Sequence, residues 1–589
     1  MATTDVSVAR AAARSAPAQR RWQSAWAAED ASVATAIVAV LLALLVLPPI
    51  WYLLYGSVHT TLPDGSPGAF TLDYFARLFS EPRLLESAVN SAIFAVGSAA
   101  LAIVVGGAQA WIVERTNAPL KTLAYLGAFI SLAIPYILYV VAWLFLFGRN
   151  GPINDLVRLV LGADRPPLRV ESMWGMILIE GLLWTPLAFL MLCSTFRAAN
   201  TTFEEAAMTC GATTWATLRH VTFKLATPAL LALALLVFIR GIEAFEVPAL
   251  VGLSGKINVL TTEIFLSLKM QTRPDLGRAS AFAVVLLVVV SILLYFYGRI
   301  AKSAAKYQTV TGKGYRPRLM DLGRARWLAA GATVVIFLVV VVLPILALAW
   351  LSLMPFSQGV SLRGMRAMTL ENYRIVLDSI TVIRSVWNTL ILSFAAASVI
   401  MVLAALIGWL VVRRRPGAWL LDQLGTMPLI FPGIVLAVAM MQIFLAVPLP
   451  IYGTIWILLI AFTTRYLPYG LRYSFAGVVQ IHNELEEVAG TSGASPITGF
   501  RHVVLPLIGP ALAAGWMFIF LMTARDLSMP VLLAGPNSQV VAVELFELWT
   551  NGQSTELAAF GLMWTALMSA LAVGFYLLAE RSGISVYGN

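Results

Sequence analysis

Charge, cysteine and histidine are all scarce in this chain: 12% of its 589 residues are Asp, Glu, Lys or Arg, with two cysteines and four histidines. Soluble domains carry about 25% charged residues, so this balance excludes an ordinary soluble enzyme and a disordered chain alike. Cys193 falls in an apolar run and Cys210 in a polar loop. That spacing supports neither a disulfide framework nor a Cys-x-x-Cys metal site. His59, His220, His482 and His502 are scattered without the spacing of metal ligands, and no Ser/His/Asp or Cys/His constellation marks a nucleophile. The chain also lacks a G-x-x-x-x-G-K-[ST] loop able to cradle phosphates, so it is not expected to bind a nucleotide itself.

What the chain has in abundance is apolar sequence: 59% hydrophobic residues and a mean hydropathy of +0.83. This composition indicates an all-α polytopic membrane protein in contact with lipid. The net charge of +10 and pI near 9.6 would raise nucleic-acid binding in a soluble protein. Here the basic residues gather between apolar runs and read as topology determinants, with no nucleic acid as partner.

A spanning helix needs about 20 mostly apolar residues. Twelve runs qualify, near 32–55, 89–113, 122–147, 174–196, 226–250, 277–298, 327–354, 387–412, 420–447, 453–477, 504–534 and 557–579. The first is too long for the apolar core of a signal peptide and no small-residue cleavage site follows, so residues 1–31 are expected to remain as a basic arm. With both termini on the cytoplasmic side, 22 basic residues fall in inner loops against 13 in outer ones, the bias expected of a protein so oriented.

Residues 299–326 carry eight basic residues and one acid, Asp321. They divide the chain into a first half, 32–298, and a second, 327–580, with 581–589 as a tail. Six spans per half make a parallel repeat. At an offset of 282, residues 201–230 match 483–512 at 13 of 30 positions, where chance at ordinary composition gives roughly two. Pro186/Pro468 and Pro248/Pro530 keep that offset, while Thr71-Leu72/Thr369-Leu370 and Asn90/Asn388 match at 298. The extra length of the first half belongs to an outer loop around 148–173.

The best-matched stretches, 201–228 and 483–510, are polar loops between the fourth and fifth spans of each half. Thr201 and Asn483 are cap-type residues followed by Glu204 and Glu486 at capping-box spacing. Gly211 and Gly493 are suited to end that helix in the left-handed region. Thr213, or Ser495 with Pro496, then opens a second short helix. Each loop therefore reads as helix, sharp turn, helix.

Glu205-Ala206-Ala207 with Gly211, and Glu487-Val488-Ala489 with Gly493, followed by Val503-Val504-Leu505-Pro506, resemble the EAA loop of binding-protein-dependent ABC importer permeases. The first copy departs by reading Val221-Thr222-Phe223-Lys224. The resemblance covers about 70–298 and 369–580, a fused pair of permease halves most similar to ferric-iron transport permeases. It implies a bacterial inner-membrane protein that delivers no chemistry itself. Two copies of a separate ABC subunit bind ATP and magnesium and dock on coupling helices, and an external binding protein delivers the solute. Coupling residues implied are Glu204, Glu205, Ala207, Gly211 and Arg219, with Glu486, Glu487, Ala489, Gly493 and Arg501. Thiamine, phosphonate or polyamine are alternative solutes. A proton-coupled secondary transporter also fits six plus six parallel spans, but gives no reason for twin loops of this kind.

Ionisable residues inside spans are costly and mark function by default. Arg240, Glu243 and Glu246 share one face of the fifth span, and Arg525 and Asp526 lie in the eleventh, with Arg525 at the position equivalent to Glu243. These five are candidates for a translocation path or gate, with Glu243 and Arg525 expected to attract across the repeat, or alternatively for a static brace between the halves. Arg465 and Arg472 in the tenth span read as side chains reaching toward a membrane face.

Overall fold

The computed structural model describes residues 33–62, 67–149, 151–162, 167–198, 202–269, 274–306, 319–447 and 450–581. The expected arm, the middle of the linker and nearly all of the tail lie outside them. Helix α1, Val33–Ser57, leads into a short antiparallel hairpin of β1, His59–Thr61, and β2, Pro67–Phe70. The rest of the first half is helical. It comprises α2, Asp73–Ser80; α3, Pro82–Arg115; α4, Lys121–Ala133; α5, Tyr136–Leu146; α6, Pro152–Leu161; and α7, Met173–Ala198. After it come α8, Thr202–Thr209; α9, Thr214–Thr217; α10, Phe223–Glu243; α11, Leu260–Lys269; and α12, Leu276–Lys306.

The second half repeats this order. Helices α13, Arg326–Phe337, and α14, Leu343–Ser352, join through one π turn and precede α15, Leu362–Arg366, and α16, Glu371–Asp378. Then follow α17, Ile380–Val412; α18, Ala418–Thr426; α19, Gly433–Ala446; α20, Ile455–Val479; α21, Glu484–Thr491; and α22, Pro496–Gly499. The chain closes with α23, Leu505–Leu507; α24, Gly509–Ala524; α25, Pro530–Leu533; α26, Val541–Thr550; and α27, Ser554–Arg581. Equivalent helices begin at matching positions: α3 and α17 start 298 residues apart, while α7 and α20, and α8 and α21, start 282 apart. Helix α6 has no counterpart and occupies the extra length of the first half.

Eight helices are long and apolar enough to cross a membrane, and three bent pairs raise the number to eleven among the described residues. The twelfth expected span is α20, long enough at 25 residues but carrying Arg465 and Arg472. Three expected spans are broken, the eleventh by 71° just before α24. Helices α4 and α5, and helices α18 and α19, meet at 106°, at Pro135 and Pro432. Proline removes a backbone N–H and drives the residue before it out of the helical region. Ile134, with ψ of 125°, and Phe431, with ψ of 111°, show that effect. The fifth and eleventh helices also stop early, at Glu243 and Ala524. The apolar residues beyond them, Pro248–Gly252 and Pro530–Leu533, are buried in protein rather than facing lipid. Hydropathy alone does not separate those two environments.

Lipid is as apolar as leucine, so helices in a membrane associate through close contact at small residues. A Cβ on Gly106 of α3 would lie 2.7 Å from the Thr185 carbonyl of α7, and one on Gly470 of α20 would lie 2.8 Å from Ile400 of α17. The halves interlock reciprocally: α5 packs on α14 and α26, and α19 on α11 and α12. Helices α11 and α26 start 281 residues apart, and at that offset Phe265 and its equivalent Phe546 meet edge to face at 6.2 Å. Equivalent residues that touch must lie beside the pseudo-twofold axis.

Replacing Gly106 by alanine should therefore destabilise the protein by about 1–3 kcal/mol, the usual range for overpacking. Gly331, whose Cβ position is open, is the control. Thermal unfolding of both variants in detergent checks this, and equal midpoints would contradict it.

Candidate functional site

Helices α8 and α21 lie at one end of the bundle, here called the loop face. Each ends as its glycine predicts, with φ of +87° at Gly211 and +88° at Gly493. Ala212 N–H reaches Ala207 O and Ala494 N–H reaches Ala489 O, both at 3.0 Å, the long bond of a Schellman turn. The following short helices are capped by Thr213 Oγ1, which accepts from Ala216 N–H, and Ser495 Oγ, which accepts from Thr498 N–H.

The N-terminal caps differ from expectation. Thr201 lies outside the described residues, and Asn483 has helical angles and makes no side-chain cap bond. The glutamates assigned to capping boxes have been claimed by stronger partners. Glu486 Oε1 accepts from Arg413 Nε at 2.6 Å, and its Oε2 accepts from the Trp409 indole at 2.8 Å. Glu204 Oε1 accepts from the Thr222 hydroxyl at 2.7 Å and lies 3.7 Å from Arg115 Nη2, with both side chains buried. Arg115 and Arg413 end the long helices α3 and α17 and are equivalent at the offset of 298. Each docking-type helix is thus tied by one ion pair to the longest span of its own half. Glu204 and Glu486 are internal braces and not exposed contacts. The exposed members of the predicted sets are Gly211, Arg219, Glu487, Gly493 and Arg501, with Glu205, Ala207 and Ala489 half-buried.

The linker returns to this same corner. Met320 N–H donates to Arg115 O at 2.8 Å, and Asp321 accepts from Gly323 N–H at 2.9 Å and Asn117 Nδ2 at 2.5 Å. The Gly323 N–H first, and Asn117 second, hold the Asp321 carboxyl below the usual carboxylate range. That contact is therefore present at neutral pH and weakens only in acid.

The intramembrane charges gather around a cavity of about 1230 Å³ at the interface of the halves. Its lining includes Arg465 and Tyr466, midway along α20. Its lining continues to Tyr295 and Gly298 of α12 and Trp419 of α18, so it opens toward the loop face. The segments Pro248–Gly252 and Pro530–Leu533 are buried and do not line it. Arg240, Glu243, Glu246, Arg525 and Asp526 all line it.

Their pairing corrects the expectation. Glu243 accepts from Arg240 of its own helix at 3.0 Å, and Arg240 also reaches Tyr469 across the interface. Arg525 lies 4.5 Å above the Tyr136 ring and donates to its hydroxyl at 2.9 Å. A one-turn step along α10 lets Arg240 meet Glu243 sooner than any residue of the other half can. Asp526 accepts from the Tyr466 hydroxyl at 2.7 Å and from Ser528 N–H and Oγ at 2.9 and 2.7 Å, with Arg465 Nε 4.0 Å away.

Arg465 and Arg472 do not reach for a membrane face; both line the cavity. Arg465 donates to Phe431 O at 3.2 Å, a carbonyl exposed by the proline break between α18 and α19. Glu180, which accepts from the Trp184 indole at 2.8 Å, was missed although it too is an acid within an apolar run. Arg115 and Arg413 were counted only as loop charges, but extending the 298 offset from Asn90/Asn388 to them would have marked a repeated arginine.

Removing one partner of a buried ion pair leaves the other charge stranded, at about 3–5 kcal/mol. Arg413→Ala and Glu486→Ala should each lower thermal stability by about the low end of that range, and the double variant by less than their sum. Additive losses in detergent-purified protein would show that the pair contributes nothing as a pair.

The family described as binding-protein-dependent transport system inner membrane component matches residues 100–306. Ferric transport system permease protein FbpB of Actinobacillus pleuropneumoniae is 26% identical over 439 residues, 73% of this chain and 62% of that protein, so less than two thirds of the relative is spanned. Fe(3+)-transport system permease protein FbpB 2 of Haemophilus influenzae is 23% identical over 493 residues, 82% of this chain and 88% of that one. Spermidine/putrescine transport system permease protein PotC of Haemophilus influenzae is 25% identical over 211 residues, 36% of this chain and 81% of that one. Alignments as long as the first two must run through both halves. By domain and by sequence, the chain is similar to the permease proteins of binding-protein-dependent transport systems.

Proposed function

We propose that this chain is the membrane permease of an ATP-driven importer, with both halves of the translocation path in one polypeptide. The observation that carries this reading is the twin loop: two exposed helix–turn–helix units at one face, each closed by a positive-φ glycine and each tied by an arginine–glutamate pair to a long span. A repeated exposed helix pair suits repeated docking, here of two copies of a separate ATP-binding subunit. The excess of basic residues in the loops on that side supports a cytoplasmic loop face with both termini inside. A binding protein then docks on the opposite face. The cavity, open at the loop face, corresponds to an inward-facing state.

In this reading ATP draws the two subunits together and displaces α8 and α21. The buried Arg115–Glu204 and Arg413–Glu486 pairs pass that displacement to α3 and α17, and the halves rock about the axis beside Phe265 and Phe546. No covalent bond changes in the chain itself. The names of the two iron-transport relatives support ferric iron as the metal carried, with thiamine, phosphonate or polyamine as the competing solutes.

Glu205→Lys/Glu487→Lys should abolish co-purification of the ATP-binding subunit, or transport, while leaving membrane insertion intact. Normal co-purification and full transport would overturn the docking assignment. Cysteines placed in 299–326 should resist impermeant thiol reagents in intact cells, whereas cysteines in 148–173 should react; the reverse pattern would invert the orientation.

A further inference from the structure

The two halves share a backbone plan, but the walls they present to the cavity are chemically opposite. On α20 the lining residues are Arg465, Tyr466, Tyr469, Arg472, Tyr473 and, nearest its C-terminal end, Ala476. On the equivalent helix α7, the offset of 282 puts Leu183, Trp184, Leu187, Leu190 and Met191 at the first five of those positions, and all of these except Leu190 line the cavity. One wall is thus rich in N–H and O–H donors, and the other, Glu180 apart, is aliphatic and aromatic. A passage for a bare or hydrated metal ion has no use for an apolar wall of this extent.

The sign of the polar wall follows from which partner of each ion pair faces the space. The Arg240 side chain is 23% exposed against 7% for Glu243, and that of Arg465 is 15% exposed against 5% for Asp526. Glu243 and Asp526 lie behind their guanidinium groups, Asp526 and Glu180 are further occupied by Tyr466, Ser528 and Trp184, and Glu246 also lines the cavity, half-buried. Arg472 is exposed in the cavity wall and makes no ion pair among the described residues. Planar guanidinium groups beside phenolic donors recognise carboxylate and phosphonate oxygens, often through two hydrogen bonds at once. The space of about 1230 Å³ also suits an organic body rather than a single ion.

We infer that the cavity takes an organic anion with an apolar body, its charged group held against Arg472 and the tyrosines of α20 and its body against Leu187 and Trp184 of α7. Iron in this path crosses as an anionic chelate, and polyamines are disfavoured beside the exposed Arg472. The inference rests on the importer reading for its physiological meaning but not for its test, which measures binding to the chain alone.

Purified full-length protein in lipid nanodiscs is titrated with phenylphosphonate, methylphosphonate, spermidine and gallium(III), the last as a redox-inert stand-in for ferric ion. Phenylphosphonate should bind saturably, and roughly tenfold or more tighter than methylphosphonate, because only its ring uses the apolar wall. Arg472→Gln should weaken both phosphonates by about tenfold or more, and Leu187→Gln should weaken only phenylphosphonate. Tyr469→Phe is the second polar-wall variant should Arg472→Gln misfold. Saturable binding of spermidine or gallium in preference to the phosphonates overturns the inference, as does the absence of saturable phosphonate binding at millimolar concentration. Either failure leaves ATP-driven import untouched, and a failure of ATP-driven import leaves the binding result standing.

Discussion

Everything at the loop face depends on a carboxylate held out of water beside the end of a long helix. An ion pair removed from water contributes little net stability, because desolvation offsets much of the attraction, yet it is unforgiving of separation. That combination makes a good joint. Glu204 and Glu486 each hold a short surface helix to the terminal arginine of a span that crosses the whole bundle. A displacement of α8 or α21 that left the arginine behind would strand a buried charge, so the surface helix and the span move together or the pair breaks.

The membrane imposes a second constraint. Backbone groups within it must be satisfied by protein, so irregular chain is tolerated only where it is buried or faces a cavity. The proline breaks at Pro135 and Pro432 lie in such places, and at the second one Arg465 supplies the missing donor to Phe431 O. The same arginine stands beside Asp526 in the cavity wall. Repair of a broken helix and construction of a polar lining are thus one device. The first half, with Leu183 at the equivalent position, has the break without the charge, and this is how a duplicated backbone comes to carry an unsymmetrical passage.

Much of the architecture was legible because it rests on local rules. Gly211 and Gly493 had to end their helices, since positive φ there admits little else. The repeat makes α7 equivalent to α20 and α8 equivalent to α21. Long-range choices were not legible. Nothing in the capping-box spacing told that Glu486 would turn to Arg413, 73 residues away, because a desolvated guanidinium outcompetes a solvated N–H for a carboxylate. Likewise, equivalence under the repeat said that Glu243 and Arg525 share a depth but not that they touch. Arg240, one turn away, took the glutamate. The apolar runs past Glu243 and Ala524 overran their helices because burial in protein and exposure to lipid demand the same residues.

The central claim is that each surface helix and its long span form one rigid unit while the cavity walls move. Spin labels on the exposed positions Val488 of α21 and Trp387 of α17, and a second pair on Val288 of α12 and Trp419 of α18, report those two distances by pulsed electron resonance. Measured in the assembled transporter with and without a trapped ATP state, the first distance should stay constant and the second should change. A shift between α21 and α17 with the cavity distance unchanged would contradict the account.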